Sequence, residues 1–244
     1  VPYYIVGNGS NLLVSDQGYE GVIIQIYKQM NQVEITENEI HAQAGALLSM
    51  IANRAMEAEL TGFEFAAGIP GTLGGACVMN AGAYGGEMKD VLETVTVLTR
   101  DGDVKTLTKD ELELGYRTSV IAKKDYIVLS AVIRLENGKK EEIKAVMDDL
   151  KEKRITKQPL EYPSAGSTFK RPEGYFAGKL IQDAGLRGFQ VGGAQVSEKH
   201  CGFVVNKDQA TAADVMNLMN QVSDKVYEMS GVRLEPEVKR LGVF

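Results

Sequence analysis

The residues best suited to chemistry lie in a glycine-rich stretch in the first half of the chain. Between Gly62 and Gly86 the sequence carries eight of its 26 glycines, far above an average usage of about 7%. Because glycine has no Cβ atom, its backbone amide can lie against a flat or charged ligand. A flavin ring and its diphosphate form a ligand of that kind. Tight packing between loops is the alternative use of so many glycines.

The loop after the first predicted strand offers a second set of backbone amides. Residues 7–11 read Gly-Asn-Gly-Ser-Asn, and consecutive N–H groups in such a turn can form an anion-binding nest suited to a diphosphate. The loop matches neither GxGxxG nor GxxxxGKS/T, so it predicts neither a Rossmann fold nor a P-loop. A simple hairpin turn is the alternative for this loop taken alone.

Composition limits the partners of the protein. The formal net charge is -6, and the 27 Lys and Arg residues are scattered rather than gathered in a stripe. This predicts no nucleic acid and no anionic membrane as a partner. Cys77 and Cys201 have neither CxxC spacing nor a second pair, so no metal site and no disulfide framework are predicted. Because no apolar run approaches about 20 residues and no secretory leader opens the chain, a cytoplasmic protein is expected.

The elements that must position these loops are of mixed type. Alternating apolar residues predict strands, and Leu48, Ile51 and Ala55 on one face predict a helix. A hairpin is expected to turn at Asp101 and Gly102. The first-half strands are predicted over residues 3–6, 22–26, 33–42, 95–98 and 126–135, and the helix over 47–60. Residues 12–14 are predicted to form a strand or a short helix.

The second half follows a predicted linker. A charged helix with an apolar face of Ile143, Val146, Met147 and Leu150 is expected to end before Pro159. A long helix over residues 211–229 is expected to be capped by Thr211 and Asp214. Its predicted core stripe is Val215, Leu218, Met219, Val222, Val226 and Met229. The other predicted elements are a helix at 176–184 and strands near 191, at 201–206 and at 233–241, the last with an edge position or bulge at Pro236.

Three further segments occur in the order and spacing of a known family. They are Gly115-Tyr116-Arg117-Thr118-Ser119, Ser164-Ala165-Gly166-Ser167-Thr168-Phe169-Lys170 and Leu234-Glu235-Pro236-Glu237-Val238. Together with the two glycine-containing loops, they make the chain from Val1 to Leu241 resemble the MurB family of enolpyruvyl-UDP-sugar reductases. The resemblance is to the shorter branch of that family, which lacks a substrate-covering loop insertion.

The resemblance implies an α+β fold with two domains. An FAD-binding domain of the vanillyl-alcohol-oxidase type is expected at residues 1–136, with a partial first subdomain at 1–28 and a second at 29–136. A linker helix at 137–158 leads to a smaller α+β substrate-binding domain at 159–244, which includes the C-terminal strand. Because the chain opens on a strand without methionine, an N-terminal truncation is expected. The incomplete first subdomain would weaken FAD binding.

The reaction implied by the resemblance is a two-step reduction. FAD accepts a hydride from NADPH and passes it to the methylene carbon of UDP-N-acetylglucosamine enolpyruvate. The adjacent carbon then takes a proton to give UDP-N-acetylmuramate, a precursor of bacterial peptidoglycan. The implied protein is thus a flavoprotein oxidoreductase of cell-wall synthesis, with roles in cell shape and division. A non-catalytic flavin or nucleotide-sugar binding module and a related FAD oxidase are the alternatives.

Roles for individual residues are also implied by the resemblance. Ser167 would donate the proton, while Arg117 and Glu237 would flank the substrate carboxylate and the enol-like intermediate. The residues implied to bind FAD are Gly7, Asn8, Gly9, Ser10, Asn11, Leu12, Gly68, Ile69, Pro70, Gly71, Gly74, Gly75, Asn80, Ala81, Gly82 and Ala83. The residues implied to bind substrate are Tyr84, Tyr116, Lys157, Lys170, Arg171 and His200. Some relatives have asparagine at the position of Arg171.

The chemistry of the three catalytic side chains agrees with these roles. A guanidinium fork matches a carboxylate on which charge develops. A serine hydroxyl is a weak acid, so Ser167 can donate a proton only to a very basic carbanion. Hydrolase chemistry at Ser167 is disfavoured, because the sequence is not GxSxG and only His41 and His200 are present as bases. Taken alone, Arg117 would be a surface ion pair and Glu237 a solvated strand residue.

Overall fold

The computed structural model describes all residues from 1 to 244, in two compact units. The first unit comprises Val1–Gly9 and Val22–Arg154, and the second comprises Ser10–Gly21 and Ile155–Phe244. The chain therefore enters the second unit for residues 10–21 and then returns to the first. Nothing in the residue pattern predicted this excursion. The predicted domain limits at residues 136 and 159 stay a prediction.

The chain forms short strands and a few longer helices, numbered here in chain order. The strands are β1 (Tyr3–Val6), β2 (Leu12–Val14), β3 (Val22–Gln25), β4 (Val33–Thr36), β5 (Glu39–Gln43), β6 (Leu60–Thr61), β7 (Gly82–Ala83), β8 (Gly86–Glu87), β9 (Leu92–Leu98), β10 (Val104–Thr108), β11 (Ile127–Arg134), β12 (Glu136–Asn137), β13 (Ser164–Ser167), β14 (Gln190–Val191), β15 (Ala194–Val196), β16 (Phe203–Asn206) and β17 (Lys239–Leu241). The α-helices are α1 (Leu48–Glu57), α2 (Leu73–Met79), α3 (Met88–Val91), α4 (Val120–Lys123), α5 (Lys140–Lys157), α6 (Ala177–Asp183) and α7 (Ala212–Ser230), and a 3-10 turn spans Glu64–Ala66. None of these helices combines the length and the apolar character that crossing a membrane requires.

The first unit is built on a five-stranded antiparallel sheet in the order β10-β9-β11-β5-β4. Leu92, Val95 and Val97 of β9 are buried in its core, and helix α2 packs on β11 and β5. The predicted hairpin is confirmed, because Asp101 and Gly102 connect β9 to β10. Gly102 has φ +88°, a left-handed conformation that favours glycine. Strands β1 and β3 form a separate parallel pair in this unit.

Helix α1 shows why apolar periodicity predicted it. Leu48, Ile51, Ala52 and Ala55 are all buried, which is the i, i+3, i+4, i+7 spacing of one helical face. Leu47 precedes the helix as its N-cap residue. The predicted helix at 47–60 is therefore confirmed, with shorter limits.

The second unit packs helices on a four-stranded sheet in the order β13-β16-β15-β14. Helix α7 contacts β14, β15 and β16, and its N-terminal end has the predicted cap. The Thr211 side chain accepts a hydrogen bond from the Asp214 amide at 3.0 Å, and the Asp214 carboxylate accepts one from the Thr211 amide at 3.0 Å. This capping box satisfies two N–H groups that the helix itself leaves unpaired.

Three sequence predictions about the helices and the last strand were partly wrong. Met229 is 59% exposed, because the buried stripe of α7 ends at Val226 and the last turn lies in solvent. Helix α5 buries only Ile143 of its predicted apolar face, and Val146 is exposed. The last strand is restricted to β17, while Pro236 forms a single antiparallel bridge with Phe169. Proline lacks the N–H group that a longer ladder would need.

Residues 10–21 join the second unit through backbone pairing and through one carboxylate. Strand β2 pairs in parallel with β17, with Leu12 opposite Lys239. The Asp16 carboxylate accepts hydrogen bonds from the amides of Ala212 and Ala213 at 2.7 and 2.9 Å. These are first-turn amides of α7, so Asp16 also complements the positive end of the helix dipole. Asp16 thus caps a helix from 196 residues away in the chain.

We expect Asp16→Ala to destabilise the second unit by about 1 to 2 kcal/mol, because two helix N–H groups lose a charged acceptor. Urea unfolding followed by circular dichroism measures the change. Asp224→Ala is the matched control, since Asp224 lies in the same unit and makes only an exposed ion pair with Arg233 at 3.6 Å. A loss no larger in Asp16→Ala than in Asp224→Ala would contradict the capping role.

Candidate functional site

The two predicted flavin loops meet in the first unit. The Asn8 side-chain amide donates a hydrogen bond to the Pro70 carbonyl at 2.8 Å. A Cβ atom at Gly7 would lie 2.2 Å from the Thr72 hydroxyl oxygen, so no larger residue fits there without a shift. Residues far apart in sequence therefore form one surface, as the predicted flavin site requires.

The first of these loops has the open donors of an anion site. No backbone N–H group of residues 7–11 donates to a protein acceptor, and Gly9 has φ +70°. The Asn11 side chain donates to the Glu237 carbonyl at 3.2 Å, which fixes the loop without using its amides. Five consecutive unpaired amides in a turn suit a diphosphate. Binding of FAD by this loop stays a prediction.

The second loop uses its glycines in two ways. Gly74 packs closely, since a Cβ there would lie 3.1 Å from the Ala44 side chain, and its amide donates to the Ala44 carbonyl at 2.8 Å. Packing between loops therefore explains Gly74. The amides of Gly68 and Gly75 donate to no protein group, so they remain available to a ligand.

Asn80 and Ala81 are buried, which limits their predicted role in binding FAD. Asn80 has no exposed surface and Ala81 is 6% exposed. The Asn80 side-chain amide donates to Glu87 at 2.7 Å and to the Gly115 carbonyl at 3.1 Å, and its oxygen accepts from the Lys89 amide at 2.8 Å. All polar groups of this side chain are thus engaged inside the protein. Direct contact of these two residues with FAD stays a prediction.

Arg117 is held in a tight turn of the first unit. The turn spans residues 115–118 and is called the Arg117 turn below. Its ends pair through the amide of Gly115 and the carbonyl of Thr118 at 3.1 Å, and Arg117 has φ +55°. The guanidinium lies 5.1 Å from the centre of the Tyr116 ring and 3.5 Å from the Gly82 carbonyl. Tyr116 and Tyr84 are exposed.

Ser167, Glu237 and the segment of His200 come together in the second unit. Ser167 is exposed at the end of β13. The next residue, Thr168, accepts a hydrogen bond from the Glu237 amide at 2.9 Å and donates its own amide to Gly202 at 2.9 Å. Glu237 is only 8% exposed, so its interpretation as a solvated strand residue is wrong.

The predicted basic residues of this unit differ in their surroundings. Lys170 forms an ion pair with Glu235. The Arg171 guanidinium lies 3.9 Å from the centre of the Phe176 ring, and its Nε donates to the Tyr175 carbonyl at 3.2 Å. Lys157 is exposed in the last turn of α5. The proximity of these cations to a substrate stays a prediction.

His200 is packed as a neutral imidazole. Its Nδ1 accepts a hydrogen bond from the Gly202 amide at 3.0 Å, so the proton of the neutral ring lies on Nε2. The His200 and Phe203 rings pack edge to face, with 5.1 Å between their centres. A Cβ atom at Gly202 would lie 2.9 Å from Cε1 of the His200 ring. Burial, assisted by the charge of Arg187, lowers the pKa of His200 from its usual value.

Arg154 lies beside the glycine-rich loop but was not singled out by the sequence analysis. Its side chain lies against Gly68, where a Cβ would be 3.2 Å from the Arg154 Cδ. The half-buried guanidinium has no hydrogen bond and no ion pair, and burial lowers the pKa of Arg154, with an opposing effect from Tyr84. Helical periodicity offered a signal, because Ile143, Met147, Leu150 and Arg154 share one face of α5.

Known proteins resemble this chain along almost its whole length. Residues 158–241 match the family model of the UDP-N-acetylenolpyruvoylglucosamine reductase C-terminal domain, and residues 1–108 match that of an FAD binding domain. The UDP-N-acetylenolpyruvoylglucosamine reductase of Agathobacter rectalis is 59% identical, over 100% of this chain and 82% of its own length. This chain belongs to the UDP-N-acetylenolpyruvoylglucosamine reductase family. The enzyme of the same name from Clostridioides difficile is 55% identical over 99% of this chain and 80% of its own.

A solved structure supports membership of this reductase family. The UDP-N-acetylenolpyruvylglucosamine reductase (MurB) from Thermus caldophilus has a TM-score of 0.86 and 38% identity, and the match covers 99% of this chain and 86% of that one. The predicted fold class is therefore confirmed, with an FAD-binding domain and a reductase C-terminal domain in a mixed α and β fold. The roles of individual residues stay predictions.

The buried position of His200 predicts a dependence of stability on pH. Its pKa is lower in the folded protein than the unfolded value of 6.5, so the unfolded state binds more protons as the pH falls below that value. Titration of His200 should therefore lower the free energy of unfolding as the pH falls from 6.5 towards the lowered pKa. Above about pH 7 it should have no effect.

His200→Gln should remove this part of the pH dependence. We expect the melting temperature of the wild type, relative to that of His200→Gln, to fall as the pH is lowered from 7.5 to 5. Differential scanning calorimetry in matched buffers measures both. Parallel curves for the two proteins would show that His200 is not held neutral by the fold.

Proposed function

We propose that this protein reduces UDP-N-acetylglucosamine enolpyruvate to UDP-N-acetylmuramate, with FAD as cofactor and NADPH as reductant. The observation that carries the proposal is the match to reductases of this family over at least 99% of the chain. FAD, when bound and reduced by NADPH, would supply the hydride to the substrate. The open amides of residues 7–11, with those of Gly68 and Gly75, would hold the cofactor. This reaction contributes a precursor to peptidoglycan.

Arg117 and Glu237 are proposed to act on the substrate carboxylate and on the charge that develops beside it. Arg117 presents a planar cation with two parallel donors, which suits a carboxylate better than the point charge of lysine does. Because Glu237 is buried at 8% exposure, its carboxyl group is shielded from bulk water. A charge or proton held there acts more strongly than it would at an exposed site.

Ser167 is proposed to donate the proton that completes the reduction. Its exposure at the end of β13 leaves the hydroxyl accessible to a ligand. The carbanion formed next to a carboxylate is basic enough to take a proton from a serine hydroxyl. Tyr84, Tyr116, Lys157, Lys170, Arg171 and His200 complete the proposed substrate-binding set.

The proposed partners are anionic small molecules. Because the chain has a formal net charge of -6, individual cationic side chains at the site are proposed to bind them. A cytoplasmic location is also proposed, supported by the two free and buried cysteines. Burial raises the pKa of Cys77 to about 12, so this thiol is inert at neutral pH. No role in catalysis is proposed for Cys77.

Ser167→Ala should separate the two halves of the reaction, because reduction of FAD by NADPH needs no proton for the substrate. In anaerobic stopped-flow experiments, we expect NADPH to bleach the flavin at nearly the wild-type rate. Reoxidation by the UDP-sugar should slow by about two orders of magnitude or more. Absorbance near the flavin maximum measures both phases.

Ser164→Ala is the control for this experiment, since Ser164 lies exposed on the same strand. It should leave both phases unchanged. Unchanged reoxidation with slow reduction in Ser167→Ala would assign Ser167 to the flavin or NADPH site instead. A wild-type protein that is reduced by NADPH but not reoxidised by the UDP-sugar would refute the proposed function itself.

Arg154 is proposed to complement the negative charge of FAD beside Gly68. A half-buried charge without a partner is unfavourable in the ligand-free protein, so its retention there is explained by an anionic ligand. We expect Arg154→Met to weaken FAD binding by about tenfold or more, without lowering the melting temperature of the FAD-free protein. Isothermal titration calorimetry with FAD and thermal unfolding measure the two effects.

Lys151→Met is the matched control, because Lys151 lies exposed on the same helix. It removes the same charge from the solvent face and should leave FAD affinity unchanged. Unchanged affinity in Arg154→Met, together with a lower melting temperature, would give Arg154 a structural role only.

A further inference from the structure

The Arg117 turn is attached on both sides to the C-terminal end of helix α2. On one side, the Asn80 side chain donates to the Gly115 carbonyl at 3.1 Å. On the other, the Ser119 hydroxyl donates to the Val78 carbonyl at 2.6 Å. Asn80 and Ser119 both have no exposed surface. Two buried side chains thus fix the residues that flank Arg117.

Asn80 is itself held in place by the segment that follows it. It occupies the left-handed conformation that ends α2, with φ +45° and ψ +59°, which asparagine tolerates better than most residues. Its amide also donates to Glu87 at 2.7 Å, and Glu87 is the N-cap residue of α3. The Lys89 amide donates to its oxygen at 2.8 Å. The direction of the Asn80 amide is therefore determined by three hydrogen bonds.

Ser119 is held with similar precision. It is the N-cap residue of α4, and its hydroxyl accepts a hydrogen bond from the Ala122 amide at 3.2 Å. The next amide, that of Val120, donates to the Leu112 carbonyl at 2.8 Å, which closes the segment that contains the turn. One hydroxyl thus caps a helix and also ties the turn to α2.

Arg117 needs such attachment because its backbone conformation is unfavourable. Its φ of +55° lies in the left-handed region, which a long side chain occupies at a cost of about 1 kcal/mol or more. Without external constraints the turn would relax and the guanidinium would move. A misplacement of about 1 Å can lower a rate by about a hundredfold.

We propose that Asn80 and Ser119 are positioning residues for the reaction, which act by holding the Arg117 turn so that the guanidinium meets the substrate carboxylate. This rests on the proposed function of Arg117. It assigns the buried asparagine a role other than direct contact with FAD, and it assigns Ser119 a role beyond capping α4.

The first test is structural and needs no substrate. In Ser119→Ala and in Asn80→Gly, we expect amide hydrogen exchange over residues 112–122 to speed up by about tenfold or more. Glycine is chosen at residue 80 because it keeps the left-handed backbone accessible. Mass spectrometry of the folded, FAD-loaded protein measures the exchange. Unchanged exchange in both variants would overturn the proposal.

The second test is a double-mutant cycle with Arg117→Lys, which should itself lower turnover by about a hundredfold. Ser119→Ala alone should lower kcat by about tenfold, with the rate of flavin reduction by NADPH unchanged. If Ser119 acts through Arg117, adding Ser119→Ala to Arg117→Lys should change kcat by less than about twofold. Additive losses would mean that Ser119 acts independently of Arg117, which would overturn the proposal.

Thr211→Ala is the matched control, because Thr211 caps α7 in the second unit. It should lower stability without changing kcat or the exchange of residues 112–122. Should Asn80→Gly fail to fold, Ser119→Ala alone decides the outcome. Wild-type protein that is inactive on the UDP-sugar would refute the proposed function, while hydrogen exchange would still show whether the two side chains hold the turn.

Discussion

The end of helix α2 imposes a constraint on much of the first unit, since Asn80 and Ala81 at that end are buried and polar groups there need hydrogen-bond partners. Asn80 meets this constraint by leaving the helix in a left-handed conformation and directing its side chain inward. Its amide then joins α3 and the Arg117 turn in one network. Ser119 adds the partner of the Val78 carbonyl. The hydrogen bonds that these buried polar groups require therefore also hold the turn of Arg117, the cation proposed to bind substrate.

The two units stabilise their functional groups by different physical means. In the first, the Thr72 side chain leaves no room for a Cβ atom at Gly7, and Ala44 leaves little at Gly74. The Asn8 side chain also ties its loop to the Pro70 carbonyl. In the second, Glu237 is buried, and its amide donates a hydrogen bond to the carbonyl of Thr168, the residue after Ser167. Close packing around glycines is therefore a feature of the first unit, and burial of the Glu237 carboxylate is a feature of the second.

The parts of the fold that could be predicted from the sequence are those determined locally. Apolar periodicity predicted α1 and α7, and the pair of Thr211 and Asp214 predicted the start of α7, because a helix cap depends on residues three apart. The excursion of residues 10–21 was not predictable in this way. It depends on β2 pairing with β17 and on Asp16 capping α7, and no local pattern reports contacts between residues so distant in sequence.

The candidate site shows the same difference between local and distant information. Glycine content singled out two loops, which the structure brings close together. It did not distinguish Gly74, which packs against Ala44, from Gly68 and Gly75, whose amides stay open. That distinction depends on which carbonyl groups other segments bring nearby. Glu237 was equally ambiguous, since burial of a carboxylate is decided by the elements around it.

Arg154 illustrates how charge and burial together indicate function where composition does not. In this chain of formal net charge -6, two exposed lysines of α5 form ion pairs with neighbouring carboxylates, Lys144 with Asp148 at 2.5 Å and Lys153 with Asp149 at 2.6 Å. Arg154 lies on the same helix but pairs with none. An exposed lysine gains little from a partner, while a half-buried guanidinium loses much without one. This difference is the reason for the proposal that an anionic ligand balances the charge of Arg154.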